Sequence, residues 1–208
     1  MNWMRLKYTK PFNIFREGLS RNNPIVISVL GICSALAITN RVENAIAMGI
    51  GVTFVIIGSS AIVSLIRQFI PSRVRMVTYM VIISSFVIAF QMILAAFFPL
   101  IEEELGAYVG LIITNCIVMG RAEAFAVKNP IKYTVVDGLA NGIGYTYVLV
   151  LISSVREVLA FGTFLGFRVL PEAFPVWTVM AIAPGGFFVL GLLIWIIREL
   201  TKNFELQH

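Results

Sequence analysis

The chain alternates long uncharged stretches with short clusters of charge. The uncharged runs cover residues 22–40, 44–66, 76–101, 105–120, 138–155 and 173–197. A helix needs about 20 apolar residues to cross a hydrocarbon core about 30 Å thick. The second, third and sixth runs meet that length comfortably. The first, fourth and fifth are marginal, being short or broken by Pro24, by Asn115 or by the glycines of "GLANGIG" at 138–144. Strands of a membrane β-barrel would alternate apolar and polar residues over about 10 positions. These runs are apolar on every face, so the pattern predicts an all-α polytopic membrane protein with six transmembrane helices. Residues 22–208 then form one membrane domain, preceded by a basic interfacial segment at 1–21, with no linker or low-complexity tract between elements.

Composition supports this reading. Of 208 residues, 59% are hydrophobic and 13% charged, with a mean hydropathy of +0.90. Soluble domains carry about 25% charged residues. With six spans, the N-terminus, the second and fourth loops and the C-terminus share one side. That side holds most of the Lys and Arg, among them Arg67, Arg73, Arg75, Arg121 and Lys128. The other side holds Arg41, Arg156 and Arg168, with the acidic run Glu102–Glu104. The bias places both termini in the cytoplasm. The net charge of +5 is then a topology signal and an attraction to anionic lipid, not a nucleic-acid footprint. A basic segment, an apolar run and "SALA" also imitate a cleavable signal peptide. Ile32 is too large for a lipoprotein site before Cys33, and some twenty residues precede the apolar run, so retention of this segment is expected.

The two halves repeat one pattern. Repeat one, about 22–101, reads as a short run with Cys33, the charged "NRVE", a span ending "SLIR", and a long span. Repeat two, about 105–200, reads as a short run with Cys116, the charged "GRAE", a span ending "SSVRE", and a long span. Three spans per unit make the second copy enter the membrane from the opposite face. Many transporters are built in this way, with short or interrupted helices in matching positions marking a midplane site. Here the matching short helices are the first and the fourth, and they carry the cysteines.

Two readings of Cys33 and Cys116 stand side by side. They are small hydrophobes filling gaps between helices, or thiolates that meet near the midplane. Paired thiolates suit a soft metal such as iron or copper(I), or half of an iron–sulfur cluster. A [2Fe–2S] cluster takes four thiolates, so a partner would have to bring two more. A disulfide is disfavoured, since neither thiol lies in an oxidising compartment. The sole histidine, His208, excludes bis-histidine haem ligation, and no nucleotide-binding motif or Ser/His/Asp set is recognisable. No catalytic side chain is expected on this chain. On these residues alone, a secondary transporter without redox chemistry is the leading reading.

Arg41, Glu43, Arg121, Glu123 and Asp137 sit at expected span ends. They are read as interfacial anchors whose side chains snorkel to the headgroups, with an ion route or a docking contact as the alternative. The "GLANGIG" glycines are expected to allow close helix packing. Trp3, Tyr8, Phe12 and Phe15 suit an interfacial helix, and Trp177 and Trp195 suit aromatic belts around the last span.

The segments "LGICSALAITNRVENA", "SLIRQFIPSRVRM" and especially "VGLIITNCIVMGRAEAFA" carry a resemblance. With "DGLANGIGYTYVL", "VREVLAFGTFLGFRVLP", "IAPGGFF" and "LIWIIREL", it extends over nearly the whole chain beyond Arg21. The chain resembles the D-type membrane subunits of the bacterial Na+-translocating NADH:quinone reductases. Their nearest relatives are the E-type subunits of Rnf ferredoxin:NAD+ oxidoreductases and the E-type sister subunits of the same pump. Rnf relatives usually have proline after the first cysteine; Ser34 stands there in this chain, which favours the quinone-reductase side.

The resemblance implies six spans in two inverted repeats, with the first and fourth helices interrupted. It implies pairing with the E-type sister subunit inside a complex that also contains the A, B, C and F components. Each member of the pair would contribute two cysteines, here Cys33 and Cys116, to an intramembrane [2Fe–2S] centre; four thiolates would equally suit a single iron. The implied role is electron relay across the inner membrane, coupled to sodium export, as one part of an NADH:ubiquinone reductase. The flavin-attachment motif of other components is missing here, so no flavin, NADH or quinone site is expected on this chain. The alternatives are an E-type Rnf subunit and a non-redox inverted-repeat transporter.

Overall fold

A computed structural model of the protein describes residues 30–71, 73–97, 106, 108–164, 167–168 and 178–205. The N-terminal basic segment with its aromatics, Pro24, Glu102–Glu104, Trp177 and His208 lie outside the described residues.

Helix α1, Ile32–Ile38, is only 7 residues long. Thr39 and Asn40 turn the chain into α2, Val42–Ile66, and then comes α3, Arg75–Phe97. Residues 108–113 form α4, which stops at Thr114 and Asn115 before α5, Cys116–Arg121, begins. A π-helical turn, Ala122–Ala126, continues directly from α5. Helix α6, Ile131–Phe161, ends on Gly162, whose left-handed φ of 67° turns the chain out of the helix. A two-residue hairpin pairs Thr163 with Arg168 and Phe164 with Phe167. The short α7, Thr178–Ala181, and the final helix α8, Ala183–Glu205, complete the described chain.

Among the described residues, four helices are long and apolar enough to cross a membrane: Val42–Ile66, Arg75–Phe97, Tyr108–Ala126 and Ile131–Phe161. The third of these includes the break at Asn115.

Helices α2 and α6 pack against each other as the centre of the molecule. Lipid tails are as apolar as leucine, so hydrophobicity alone gives helices no reason to associate within a bilayer. Close packing of small residues supplies the attraction instead. A Cβ on Gly49 of α2 would lie 2.5 Å from Thr146 Oγ1 of α6, and a Cβ on Gly142 of α6 would lie 2.5 Å from Thr53 Oγ1 of α2. Later residues of α2 thus meet earlier residues of α6, so the two helices run antiparallel. The contact is also reciprocal: the Gly-x-x-x-Thr of one helix faces the Gly-x-x-x-Thr of the other. Each threonine hydroxyl donates to its own glycine carbonyl, at 2.7 Å for Thr53 and 2.8 Å for Thr146, which satisfies both hydroxyl donors in the seam. An open apolar hollow of about 610 Å³ beside the seam repeats the relationship. Its lining pairs Ile50 with Ile143, Thr53 with Thr146, Phe54 with Tyr147 and Ile57 with Val150, every pair at the same interval along the chain.

One expectation requires correction. The fifth run is not broken at "GLANGIG": α6 is continuous for 31 residues. Gly138, Gly142 and Gly144 are buried within it, and the first two accept the close approach of α2. The cost of glycine in a helix, about 1 kcal/mol each, is offset there by packing that no larger residue would allow. Helix α3 stands at the periphery, burying one stripe of Tyr79, Ile83, Val87 and Leu94.

Candidate functional site

The breaks that shorten the first and fourth segments bring the two cysteine-bearing stretches together. Gly31 takes a left-handed φ of 81° immediately before α1. An L side chain there would be strained, and its Cβ would come 2.6 Å from Ile117 Cδ1. In the fourth segment Asn115 is the break. It is extended, with φ −69° and ψ 119°, and its Oδ1 accepts from the Ile117 amide at 3.1 Å, capping α5. Cys33 is therefore the second residue of one short helix and Cys116 the first residue of another. Contacts bracket the pair on both sides: Gly31 reaches Ile117, and Ser34 reaches Asn115.

Ser34 is the hub of that contact. Its hydroxyl donates to Gly31 O at 3.0 Å, lies 2.7 Å from the Tyr145 hydroxyl of α6, and accepts from Asn115 Nδ2 at 3.2 Å. Ser34, Asn115 and Tyr145 are each no more than 1% exposed. A buried polar network of this kind rigidifies a site when its members are paired, because an unpaired one would cost about 1–3 kcal/mol. Both thiols, by contrast, are free and exposed. Within this chain the cysteines do not fill gaps between helices: Ser34, Asn115 and Ile117 beside them are buried and they are not.

Among the described residues, no group of three or more His, Cys, Asp or Glu side chains could hold a metal ion. Two thiols presented outward from a buried, hydrogen-bonded base fit half of a four-thiolate set. They do not fit a site completed by this chain alone.

The charges behave differently from what their sequence positions suggest. Position along the chain makes Arg121 and Asp137 separate snorkelling anchors; in the fold they form an ion pair instead. Arg121 Nε donates to Asp137 Oδ2 at 2.9 Å and Nη2 donates to Oδ1, while Asn141 Nδ2 donates to Oδ1 at 3.1 Å. Arg121 also lies 5.3 Å over the ring of Phe125. The Asp137 side chain is 6% exposed and that of Arg121 is 24% exposed. Glu123 meets Arg75 Nη1 at 3.1 Å on the surface. Arg41 and Glu43 are exposed, as an anchoring role requires.

The run pattern sets Arg156 beyond a span end, with Arg41 and Arg168. The fold corrects this: Arg156 lies inside α6, 1% exposed. Its guanidinium donates to Leu36 O, Thr39 Oγ1, Met180 O, Ala181 O and Ile182 O at 2.6–3.3 Å. Glu157 beside it accepts from the Val42 amide at 2.8 Å, at the start of α2. Sequence reasoning gives these two residues no structural role. The one available signal is an adjacent Arg-Glu pair followed by further apolar residues, "REVLAF", which argues that the helix does not stop there.

Comparison with known proteins places these features in context. The family model described as "Rnf-Nqr subunit, membrane protein" matches residues 11–194. A protein of Chlamydia felis named as the D subunit of Na(+)-translocating NADH-quinone reductase is 46% identical over 205 residues, covering 93% of this chain and 96% of that protein. Proteins of the same name from Chlamydia trachomatis serovar L2 and Pseudoalteromonas atlantica are 48% and 46% identical, each covering 88% of this chain and 91% and 89% of their own length.

Proposed function

The chain belongs to the Rnf-Nqr family of membrane-protein subunits, and we propose that it works as the D-type subunit of a Na+-translocating NADH:quinone reductase. It is a multi-pass membrane protein. In the proposed assembly, the E-type sister subunit lies against the face that presents Cys33 and Cys116 and brings two further thiolates. The four together hold a [2Fe–2S] centre, which would supply one-electron transfer within the membrane. The A, B, C and F components complete the complex and carry the NADH, flavin and quinone chemistry.

The observation that carries this reading is the Ser34–Asn115 hydrogen bond of 3.2 Å. It ties the residue after one cysteine to the residue before the other while both thiols stay exposed. A chain using its cysteines only for packing has no need of that arrangement. The reciprocal Gly49–Thr146 and Gly142–Thr53 contacts support a two-fold relation between α2 and α6, as two inverted three-helix repeats would have. Six spans, with both termini on the cytoplasmic side of the bacterial inner membrane, complete the proposal on the Lys/Arg bias of the loops. Within that frame this chain's Ser34, Asn115 and Tyr145 network orients the thiols. A centre held by Cys33, Cys116 and the sister subunit's thiolates would supply one-electron transfer, and motion of one repeat against the other would couple that relay to sodium export.

The experiment is iron and acid-labile sulfide per purified complex, for the parent and for Cys116→Ala. Loss of about two irons and two sulfides assigns a [2Fe–2S] ligand to Cys116. Loss of iron without sulfide makes the site mononuclear. An intact, active complex that loses neither would overturn the redox role. Sodium uptake that persists with the centre destroyed, while NADH is still oxidised, would overturn the coupling.

A further inference from the structure

Arg156 is a permanently charged, buried side chain that faces no carboxylate within hydrogen-bonding distance among the described residues. Its partners there are carbonyls and a hydroxyl. A guanidinium presents five N–H donors in a fixed planar fork and does not lose its proton in proteins. The last carbonyls of a helix have no partner within the helix. Arg156 Nη1 takes Leu36 O at 3.2 Å and Thr39 Oγ1 at 2.6 Å, both at the C-terminal end of α1. Nε and Nη2 take Met180 O, Ala181 O and Ile182 O at 3.2, 3.3 and 3.3 Å, where α7 gives way to α8. Glu157 holds the other side of the same turn through the Val42 amide. Two successive residues of α6 therefore bracket the turn that follows the Cys33 helix.

We propose that Arg156 is the positioning residue of the Cys33 half-site, clamping the C-terminal end of α1 to the α7–α8 junction so that the Cys33 thiol stays level with Cys116. This rests on the reading of both thiols as ligands, but its geometry does not. α1 has only 7 residues, too few to be stable without tertiary contacts. It is held at its start by the Ser34 network and at its end by Arg156. Gly186 completes the fit: a Cβ there would lie 2.9 Å from Leu36 Cδ2 and 3.2 Å from Arg156 Nη1. Lysine cannot replace the arginine, because one ammonium does not span the two segments.

The test is thiol alkylation in the whole complex after chelator treatment, with Cys33 and Cys116 followed separately by mass spectrometry. In the proposed assembly the sister subunit covers both thiols, so in Arg156→Gln and Gly186→Ala alkylation of Cys33 rises by about threefold or more as α1 leaves that cover more easily, while Cys116 stays within about twofold of the parent. Arg156→Lys does not restore the parent rate. If Arg156→Gln fails to assemble, Thr39→Val removes the 2.6 Å contact to Arg156, together with the Thr39 hydroxyl's local bond to Ala35 O, and gives the same selective rise. Equal rises at both cysteines, or none at either, overturn the clamp.

Iron content of Cys33→Ala, measured alongside, separates the two ideas. If Cys33→Ala keeps its iron while Cys33 alkylation in the Arg156 variants rises selectively, the ligand reading falls and the clamp stands. If Cys33→Ala loses its iron but the Arg156 and Gly186 variants leave alkylation unchanged, the clamp falls and the ligand reading stands.

Discussion

The side-chain amide of Asn115 donates to the hydroxyl of Ser34 over 3.2 Å, so the residue before Cys116 holds the residue after Cys33. The Tyr145 hydroxyl, 2.7 Å from the same oxygen, anchors both to α6.

Ser34→Ala removes the shared oxygen and leaves Asn115 Nδ2 and the Tyr145 hydroxyl buried without it. The expected loss is about 1–3 kcal/mol, seen as a lower thermal midpoint of the purified complex. Because the three groups act together, Ser34→Ala and Tyr145→Phe combine non-additively, with a coupling of about 0.5–3 kcal/mol. Strict additivity in a double-mutant cycle would show that the hydroxyls do not interact.

Gly31→Ala tests the backbone break. At a φ of 81° an alanine costs roughly 1–2 kcal/mol in conformation alone. Its Cβ would also press on Ile117 Cδ1 at 2.6 Å and Cγ1 at 3.1 Å, so the side chain next to Cys116 must turn away. Iron bound per complex is expected to fall while the protein still inserts; parental iron content would mean that the break does not set the thiol spacing.

Gly49→Ala drives a Cβ to 2.5 Å from Thr146 Oγ1 and 2.9 Å from Thr146 Cβ. Overpacking of this kind costs about 1–3 kcal/mol. Thr146→Ala relieves the first contact but not the second, so it rescues in part. Gly142→Ala with Thr53→Ala should behave the same way, since the contact is reciprocal. Thermal midpoints of the two pairs that differ widely would argue against an equivalent role for the two helices.

Asp137→Ala strands the Arg121 guanidinium in a partly buried site. Breaking such a pair from one side costs about 3–5 kcal/mol. Removing both partners, with Arg121→Met, is expected to be milder than Asp137→Ala alone, because no unpaired charge remains. A double variant less stable than Asp137→Ala would show that Arg121 contributes by packing over Phe125 rather than by its charge.

Much of this architecture is legible in the chain. Long uncharged runs announce α2 and α3, because a bilayer permits only helices at that length. Asn115, a residue suited to capping, marks the fourth interruption locally. The first is expected at Pro24, outside the described residues, whereas the turn that the fold shows before α1 is Gly31. The contacts of the charged residues were not legible. Arg121 lies close to Asp137 along the chain, yet the π-turn and the loop between them decide whether they meet. Arg156 reaches Leu36 and Met180, which lie far from it on either side along the chain, and no local pattern announces either partner. A helix that is apolar on every face carries no stripe saying which side turns inward.

Local composition thus set the membrane-spanning helical class of this protein and the positions of α2 and α3, and it marked two cysteine-bearing runs in matching places. These follow from local composition, since each backbone polar group in a membrane helix must find a partner within its own segment. The tertiary structure alone decided that "GLANGIG" stays helical, that α2 and α6 meet antiparallel through matched glycines and threonines, and that Arg156 is inside. Those outcomes depend on close approach between residues far apart in the chain, where the shape of small side chains and the placement of a few hydrogen-bond acceptors outweigh any local preference.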